Sequence, residues 1–284
     1  MNIAQYGVFL LIIVLTTLRT LALKKVAERV SPENTAFIIG AGTFLTCLSL
    51  LPVAITTGIS TPSDFLNLTG ISAGLMKGVL LGIMLIAQQN LINKSLSSAT
   101  YVFPISLGFI ALVDILIFGS NLTFASILSI NLLFVAGILF TMIGHIKSMH
   151  RRSKLMFFIM IFCVIGFAIM DRTGIPTSGW FTYLLFTGIG NIFVVFFYQK
   201  NKFSFVPLKF WLSISIIWVL PELFFNYAIA TYLPVSYGYL AITLRIPLLM
   251  LISVLVYREG KLSEQILFSF VAVIAILLMF MERL

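Results

Sequence analysis

Two charged residues, Glu222 and Arg245, stand inside otherwise apolar stretches and are the residues best placed to do chemistry. An ionisable side chain in the middle of a bilayer is costly unless it faces a partner or water. The planar fork of Arg245 suits a carboxylate or a phosphate. Glu222 can neutralise Arg245, bind a substrate ammonium group or carry a coupling proton. The two residues therefore predict a polar binding site for a small molecule within a membrane.

Glu222 and Arg245 belong to two consecutive predicted helices, over residues 210–229 and 233–256, joined by a turn at 232–234. Such a short turn makes the helices antiparallel neighbours. Glu222 lies about ten residues before the turn and Arg245 about twelve after it, so their depths differ by roughly 3 Å at helical rise. We predict that they pair across this hairpin.

Polar and aromatic residues accompany both charges at helical spacing. Trp218, Glu222 and Asn226 recur every four residues on one helix, and Tyr237 lies on the face of Arg245 on the next. A polar stripe opposite an apolar one predicts the wall of a wet cavity. A structural pair that only fixes helix packing is the alternative for the two charges.

Lys77 and Asp114 form a second candidate pair. They flank a predicted hairpin at 95–97 by nearly equal distances and therefore share a depth. A gate or cavity role is one interpretation, and snorkelling to the interface is the other. Arg19, followed by two lysines, is expected to snorkel to the end of its helix.

One face of the predicted helix 179–198 also carries polar residues. Asn191 shares this face with Tyr183, Thr187 and Tyr198, and it is a candidate to complete the cavity. Aromatic stripes more often indicate packing. A stripe of small residues beside Lys77 predicts close helix packing. It consists of Gly74, Gly78 and Gly82.

The composition is typical of a multi-pass membrane protein. Of the 284 residues, 60% are hydrophobic and 10% charged, whereas soluble proteins have about a quarter charged residues. The net charge of +9 comes from cations scattered through short connections, which argues against nucleic-acid binding. Cys47 and Cys163 lie in apolar segments without metal-ligand spacing, and no cofactor or metal is expected.

Ten apolar stretches predict an all-α protein with ten transmembrane helices. The predicted spans are residues 3–23, 35–57, 71–92, 98–119, 124–144, 155–170, 179–198, 210–229, 233–256 and 265–281. Thirteen lysines and arginines fall in connections after odd-numbered spans and two on the other side. We expect the protein to lie in the inner or plasma membrane of the cell. The positive-inside rule then predicts that both termini lie outside the cytoplasm.

The basic run 145–154 divides the chain near its midpoint. Residues 1–146 and 147–284 would each hold five spans. Because five crossings bring the chain to the other side of the membrane, the second half would have the opposite orientation to the first. Residues 88–123 and 226–263 echo each other, each reading as a helix end, a tight turn, a helix and a short polar loop. We therefore predict two inverted five-helix repeats, a pattern typical of secondary transporters.

Three segments resemble the drug/metabolite transporter superfamily, in its ten-helix EamA-like branch. The segment LKKVAERVSPENTAFIIGAGTFLTCLSLLP, from Leu23, resembles the first helix pair. LSSATYVFPISLGFIALVDILIFGSNLT and YLPVSYGYLAITLRIPLLMLISVLVYREGKLS look like the fourth and ninth helices, with mid-helix Pro104 and Pro247 and an acidic loop residue, Glu259. The resemblance covers nearly the whole chain and implies the ten-helix fold and transport.

The sequence favours a secondary transporter, exporter or exchanger, of a small anionic or zwitterionic metabolite that uses alternating access. The chain has no motif of an ATP-driven pump or of a membrane enzyme, so energy would come from a gradient, with a proton as a possible coupling ion, or from exchange. The first alternative is a proton-coupled exporter of lipophilic cations, with Glu222 as acceptor and Trp218 stacking on the drug. A membrane enzyme or assembly subunit with purely structural charges is the second.

Overall fold

The structure is a computed structural model that describes residues 3–94, 96–119, 123–140, 150–199, 206–258 and 262–281. Throughout these ranges the chain is all-helical, without β-strands. A short 3₁₀ helix covers Pro62–Leu66. The α-helices are α1 (Ile3–Ala27), α2 (Pro32–Thr56), α3 (Leu68–Lys94), α4 (Leu96–Thr100), α5 (Val102–Leu116), α6 (Phe124–Phe140), α7 (Arg151–Ser178), α8 (Trp180–Gln199), α9 (Leu208–Thr231), α10 (Val235–Leu244), α11 (Ile246–Leu255) and α12 (Leu262–Met281).

Seven helical stretches within the described residues are long and apolar enough to cross a membrane. They are α1, α2, α3, α7, α8, α9 and the stretch formed by α10 and α11. Shorter apolar helices lie in α5, α6 and α12. The all-helical class is thus confirmed, and these helices are compatible with a multi-pass membrane protein.

The prediction that the sixth span is short was wrong. It covered residues 155–170, but α7 runs from Arg151 to Ser178 over 28 residues. Arg172, counted among the cations of a connection, lies inside this helix together with Asp171. Asp171 accepts a hydrogen bond from Tyr239 of α10, and Arg172 lies over the Phe118 ring. Charges satisfied within the protein do not end a helix.

Local sequence explains several helix ends. Ser31 caps α2 by accepting a hydrogen bond from the Asn34 backbone N–H at 3.2 Å, with Pro32 as the first residue of the helix. Gly179 separates α7 from α8 with a φ of 70°. Glycine tolerates this conformation, and it allows the two helices to follow each other directly.

Two helical stretches are interrupted. The first breaks at Tyr101, between α4 and α5, and the second at Arg245, between α10 and α11. A proline follows each break by two or three residues, Pro104 and Pro247. Proline lacks the backbone N–H that would bond four residues back, so each proline weakens the turn before it.

The helices pack in a definite pattern. The central layer has α3 against α7 and α8, and α2 against α8 and α9. Around it, α1 packs against α9 and α10, α5 against α6 and α7, and α12 against α6 and α11. Helices α3 and α8 approach each other closely, since a Cβ added at Gly190 would meet the Leu75 backbone oxygen and one at Gly78 the Thr187 backbone oxygen. The side chains of α1, α3, α7, α9 and α10 meet in the middle of this arrangement.

Some sequence predictions lie outside the described residues. They include the proposed division between residues 146 and 147 and the loop residue Glu259. Several cations of the orientation count also lie there. These are Lys147, Lys200, Lys202, Lys261 and Arg283.

Candidate functional site

A buried network of charges lies where five helices meet. Lys77 on α3 approaches Asp171 Oδ1 on α7 at 2.6 Å and Glu222 Oε1 on α9 at 3.3 Å. Arg19 on α1 binds the other carboxylate oxygen of Glu222 at 3.0 Å. All four side chains are at most 10% exposed. Lys77 is therefore the cation shared by two buried carboxylates.

Asp171 accepts hydrogen bonds at both of its oxygens. The Tyr183 hydroxyl on α8 donates to Oδ1 at 2.9 Å, and the Tyr239 hydroxyl on α10 donates to Oδ2 at 2.7 Å. With Lys77 this gives the carboxylate three donors from three other helices. Such charge-assisted bonds stabilise an ionised carboxylate that is removed from water.

Glu222 is also fully engaged. The Asn226 side chain donates to the Glu222 backbone oxygen at 2.8 Å and approaches Oε1 at 3.4 Å, so Asn226 supports the position of Glu222. The guanidinium of Arg19 lies over the Trp218 ring, 4.3 Å from its centroid. This cation-π contact and the salt bridge together hold Arg19 inside the protein, so the prediction that Arg19 snorkels was wrong.

Arg245 occupies the break between α10 and α11 and is only 1% exposed. One terminal nitrogen donates to the Thr16 backbone oxygen at 3.1 Å, and the guanidinium lies 4.5 Å from the centroid of the Phe103 ring. Its Nε has no hydrogen-bond partner. No carboxylate of the described residues lies within salt-bridge distance of Arg245.

The predicted pairing of Glu222 with Arg245 was thus wrong, although both residues belong to the same site. Equal depth does not make two side chains face each other. Helix α1 packs against both α9 and α10 and supplies the partners of both residues, Arg19 for Glu222 and Thr16 for Arg245.

A small cavity of about 40 Å³ lies at the centre of the network. A cavity of this size has room for water but, in this closed conformation, not for a metabolite. Its lining combines charged, aromatic and apolar residues. They are Arg19, Thr20, Leu23, Lys77, Leu81, Met84, Gln88, Phe103, Val164, Phe167, Trp218, Glu222, Phe225, Tyr239, Ile242 and Arg245.

Three polar atoms of the cavity residues are buried without a hydrogen-bond partner. Arg245 Nε and Trp218 Nε1 are donors, and Gln88 Oε1 is an acceptor. A buried polar atom without a partner costs free energy. Unpartnered atoms on three residues around one cavity leave hydrogen bonds open to a water molecule or to a polar ligand.

A second, larger cavity of about 310 Å³ lies at the end of the bundle where α7 and α9 finish. Asp171, Arg172 and Trp180 border it, together with Pro234 and Val235 at the start of α10. Tyr239 borders the central cavity instead. The hydrogen bond between Asp171 and Tyr239 therefore lies between the two cavities.

The second predicted pair, Lys77 with Asp114, was also wrong. Lys77 binds Asp171 and Glu222, whereas Asp114 lies beside Arg172 and Ser236. Asp114 is buried at 3% exposure, so it is not a snorkelling residue.

The remaining predicted residues lie around the site but do not line it. Tyr237 approaches the Ser126 hydroxyl on α6 at 3.3 Å. Asn191 is fully buried, without partners for its amide, at the crossing of α8 with α2 and α3, where a Cβ added at Gly40 or Gly82 would come within 3.0 Å of its side chain. Tyr198 is largely exposed. Of the stripe that includes Asn191, Tyr183 alone reaches the charge network.

Sequence reasoning missed three residues of the site: Asp171, Tyr239 and Gln88. A signal for Asp171 was present, because it follows Val164 and Phe167 at spacings of three and four, on the helical face that borders the site. Ending the predicted span at residue 170 hid this face.

No protein-family model matches the chain, and no curated protein matches it. The resemblance to the drug/metabolite transporter superfamily rests on the segments quoted above and stays a prediction.

Proposed function

We propose that the protein is a secondary transporter that moves a small anionic or zwitterionic metabolite through the central cavity by alternating access. One observation carries the proposal. The buried network contains three cations, Arg19, Lys77 and Arg245, but only two carboxylates, Asp171 and Glu222. Arg245 is the cation without a carboxylate partner among the described residues, and it borders the cavity.

The excess of one positive charge defines the substrate class. Removing a charge from water is expensive unless an opposite charge compensates it. One carboxylate or singly charged phosphate ester beside Arg245 would make the network neutral. The unpartnered Trp218 Nε1 is a further donor for the anion, and Gln88 Oε1 is an acceptor for a hydroxyl or ammonium group of the same molecule.

The same contacts weigh against the export of lipophilic cations. Glu222, the acceptor that this alternative requires, already binds Arg19 and Lys77. Arg19 covers one of the two faces of the Trp218 ring on which a drug could stack. A lipophilic cation would have to displace two of the protein's own cations before it could bind.

The ten-helix architecture in two inverted halves, residues 1–146 and 147–284, belongs to the proposal. Two features support it. An interrupted stretch occurs fourth in the first half, at Tyr101, and fourth in the second, at Arg245. Discontinuous helices at corresponding positions are common at transporter binding sites.

The second supporting feature is the packing pattern. A relation between the two halves pairs each element of the first half with one of the second. It pairs α1, α2, α3 and α6 with α7, α8, α9 and α12, and the stretch α4–α5 with α10–α11. When the paired elements are exchanged, observed contacts correspond to other observed contacts. The pair α2 with α9 becomes α8 with α3, and α3 with α7 becomes α9 with α1. The pair α5 with α6 becomes α11 with α12. An approximate two-fold relation between the halves predicts such matched pairs.

Ligand-dependent thermal stabilisation of the purified protein tests the proposal. Panels of carboxylates, phosphate esters, amino acids and organic cations are compared on the parent, on Arg245→Gln and on Arg29→Gln, whose arginine is exposed on the surface. A ligand at a hundred times its Kd stabilises by about 2.7 kcal/mol, which is readily visible as a rise in Tm.

The expected result is stabilisation by an anion or zwitterion in the parent and in Arg29→Gln, with none in Arg245→Gln. Stabilisation by cations alone, lost in Glu222→Gln, would instead support the cation exporter.

A further inference from the structure

A thin layer of side chains separates the central cavity from the second cavity. Along α10, Val235 borders the second cavity and Tyr239 the central one. Four residues of helix span about 6 Å, so one helical turn divides the two spaces. On the opposite side of this layer, Asp171 of α7 accepts a hydrogen bond from the Tyr239 hydroxyl.

The half-helix α10 is a short element bounded at both ends. It is ten residues long and is separated from α11 by the break at Arg245. At its other end, Pro234 precedes it after a short turn. Its backbone is thus interrupted on both sides, and both interruptions lie beside a cavity.

Side-chain contacts hold α10 in place. Tyr239 bonds to Asp171 on α7, Ser236 lies beside Asp114 on α5, and Tyr237 approaches Ser126 on α6. The contact to Asp171 is the one at the boundary of both cavities. A short bond from a hydroxyl to a buried carboxylate is strong, yet it can be exchanged for water when the cavity opens.

We propose that the hydrogen bond from Tyr239 to Asp171 is a gate between the central cavity and the second cavity, and that α10 opens it by pivoting at the break that carries Arg245. This inference rests on the proposed transport function, because it describes how the closed central cavity becomes accessible. The ligand site at Arg245 and the pivot would then be the same point of the chain, so that binding and opening are mechanically linked.

Cysteine accessibility tests the gate without any transported solute. Cys47 and Cys163, both buried, are first replaced by alanine. Thr20→Cys then reports on the central cavity and Ala230→Cys on the second cavity. The protein is reconstituted in liposomes, and a membrane-impermeant maleimide is added on the side from which Ala230→Cys reacts.

Each reporter is compared in the parent background, in Tyr239→Phe and in Tyr237→Phe. Both substitutions remove one hydroxyl from α10 and keep the ring, but only the first breaks the bond to Asp171. The reporter in the central cavity should react about 10- to 100-fold faster in Tyr239→Phe, as expected for loss of one hydrogen bond to a charged group. Tyr237→Phe should leave the rate near that of the parent.

Equal labelling of the Thr20→Cys reporter in both tyrosine variants would overturn the gate. Hydrogen exchange of residues 235–244 is a second measurement and should be faster in Tyr239→Phe than in Tyr237→Phe. Equal exchange would also count against the proposal. If Tyr239→Phe labels faster but the protein moves no solute, the gate is supported and the transport function is refuted. If the protein transports a solute but Tyr239→Phe does not change the labelling, the transport function is supported and the gate is refuted.

Discussion

Replacing Asp171 by asparagine is the perturbation that most severely tests the charge network. Asp171 is fully buried and accepts hydrogen bonds from Lys77, Tyr183 and Tyr239. Asparagine has nearly the same shape but no charge. The substitution therefore leaves the packing intact and removes one of the two carboxylate partners of Lys77, so that the network has three cations and one carboxylate.

The expected cost follows from these contacts. Removing one partner of a buried ion pair typically destabilises a protein by about 3–5 kcal/mol. Lys77 keeps its 3.3 Å contact with Glu222, which places the expectation toward the lower end of this range. At about 2–4 °C per kcal/mol, Tm should fall on the order of 10 °C.

Thermal unfolding in detergent measures the effect, with Glu28→Gln as the control because Glu28 is an exposed carboxylate. The double variant Lys77→Met with Asp171→Asn removes both partners. It should be less destabilised than the sum of the single variants by about 1–3 kcal/mol, since the residues are in direct contact. A Tm of Asp171→Asn equal to that of Glu28→Gln, or strictly additive single effects, would refute the network as described.

Two further predictions concern packing and the cation-π contact. Gly190→Ala should lower stability by about 1–3 kcal/mol, because the added methyl group would meet the Leu75 backbone oxygen. Gly7→Ala, with open space around it, should instead raise stability by up to about 1 kcal/mol, and Tm measurements distinguish the two signs. Trp218→Phe should cost about 0.5–2 kcal/mol by weakening the contact beneath Arg19, which a double-mutant cycle with Arg19→Gln measures. Additive effects in that cycle would contradict the contact.

The all-helical class could be predicted from the sequence because the apolar stretches are long and are separated by turn signals or charges. Glu222, Arg245, Lys77 and Trp218, four of the candidate site residues, border one cavity of the structure. That they bind a substrate stays a prediction. Charges inside apolar helices are rare enough that their position alone indicates a site. This part of the prediction needed no knowledge of which helices touch.

The sequence could not predict in the same way which charged side chains contact each other, because these contacts depend on which helices are neighbours in the bundle. Depth along a hairpin suggested that Glu222 faces Arg245, but α1 packs against both helices and brings Arg19 to Glu222. Arg19 itself was misjudged because its distance from the helix end allows snorkelling, and only the packing shows a carboxylate within reach.

Asp171 was missed for a different reason. A charge at the edge of an apolar stretch looks like the start of a loop, and the predicted sixth span ended at residue 170, just before it. In the structure α7 continues to Ser178, with Asp171 in the central network and Arg172 over the Phe118 ring. A neighbouring pair of charges can thus serve two separate contacts without ending a helix.

Uptake of labelled solute into proteoliposomes tests the central claim most directly. The solute is the anion or zwitterion that gives the largest thermal stabilisation, and the proteins compared are the parent, Arg245→Gln and Arg29→Gln. We predict saturable uptake by the parent and by Arg29→Gln, and none above that of empty liposomes for Arg245→Gln. Uptake by Arg245→Gln at the parent rate, or a parent protein that moves no anion or zwitterion, would contradict the account.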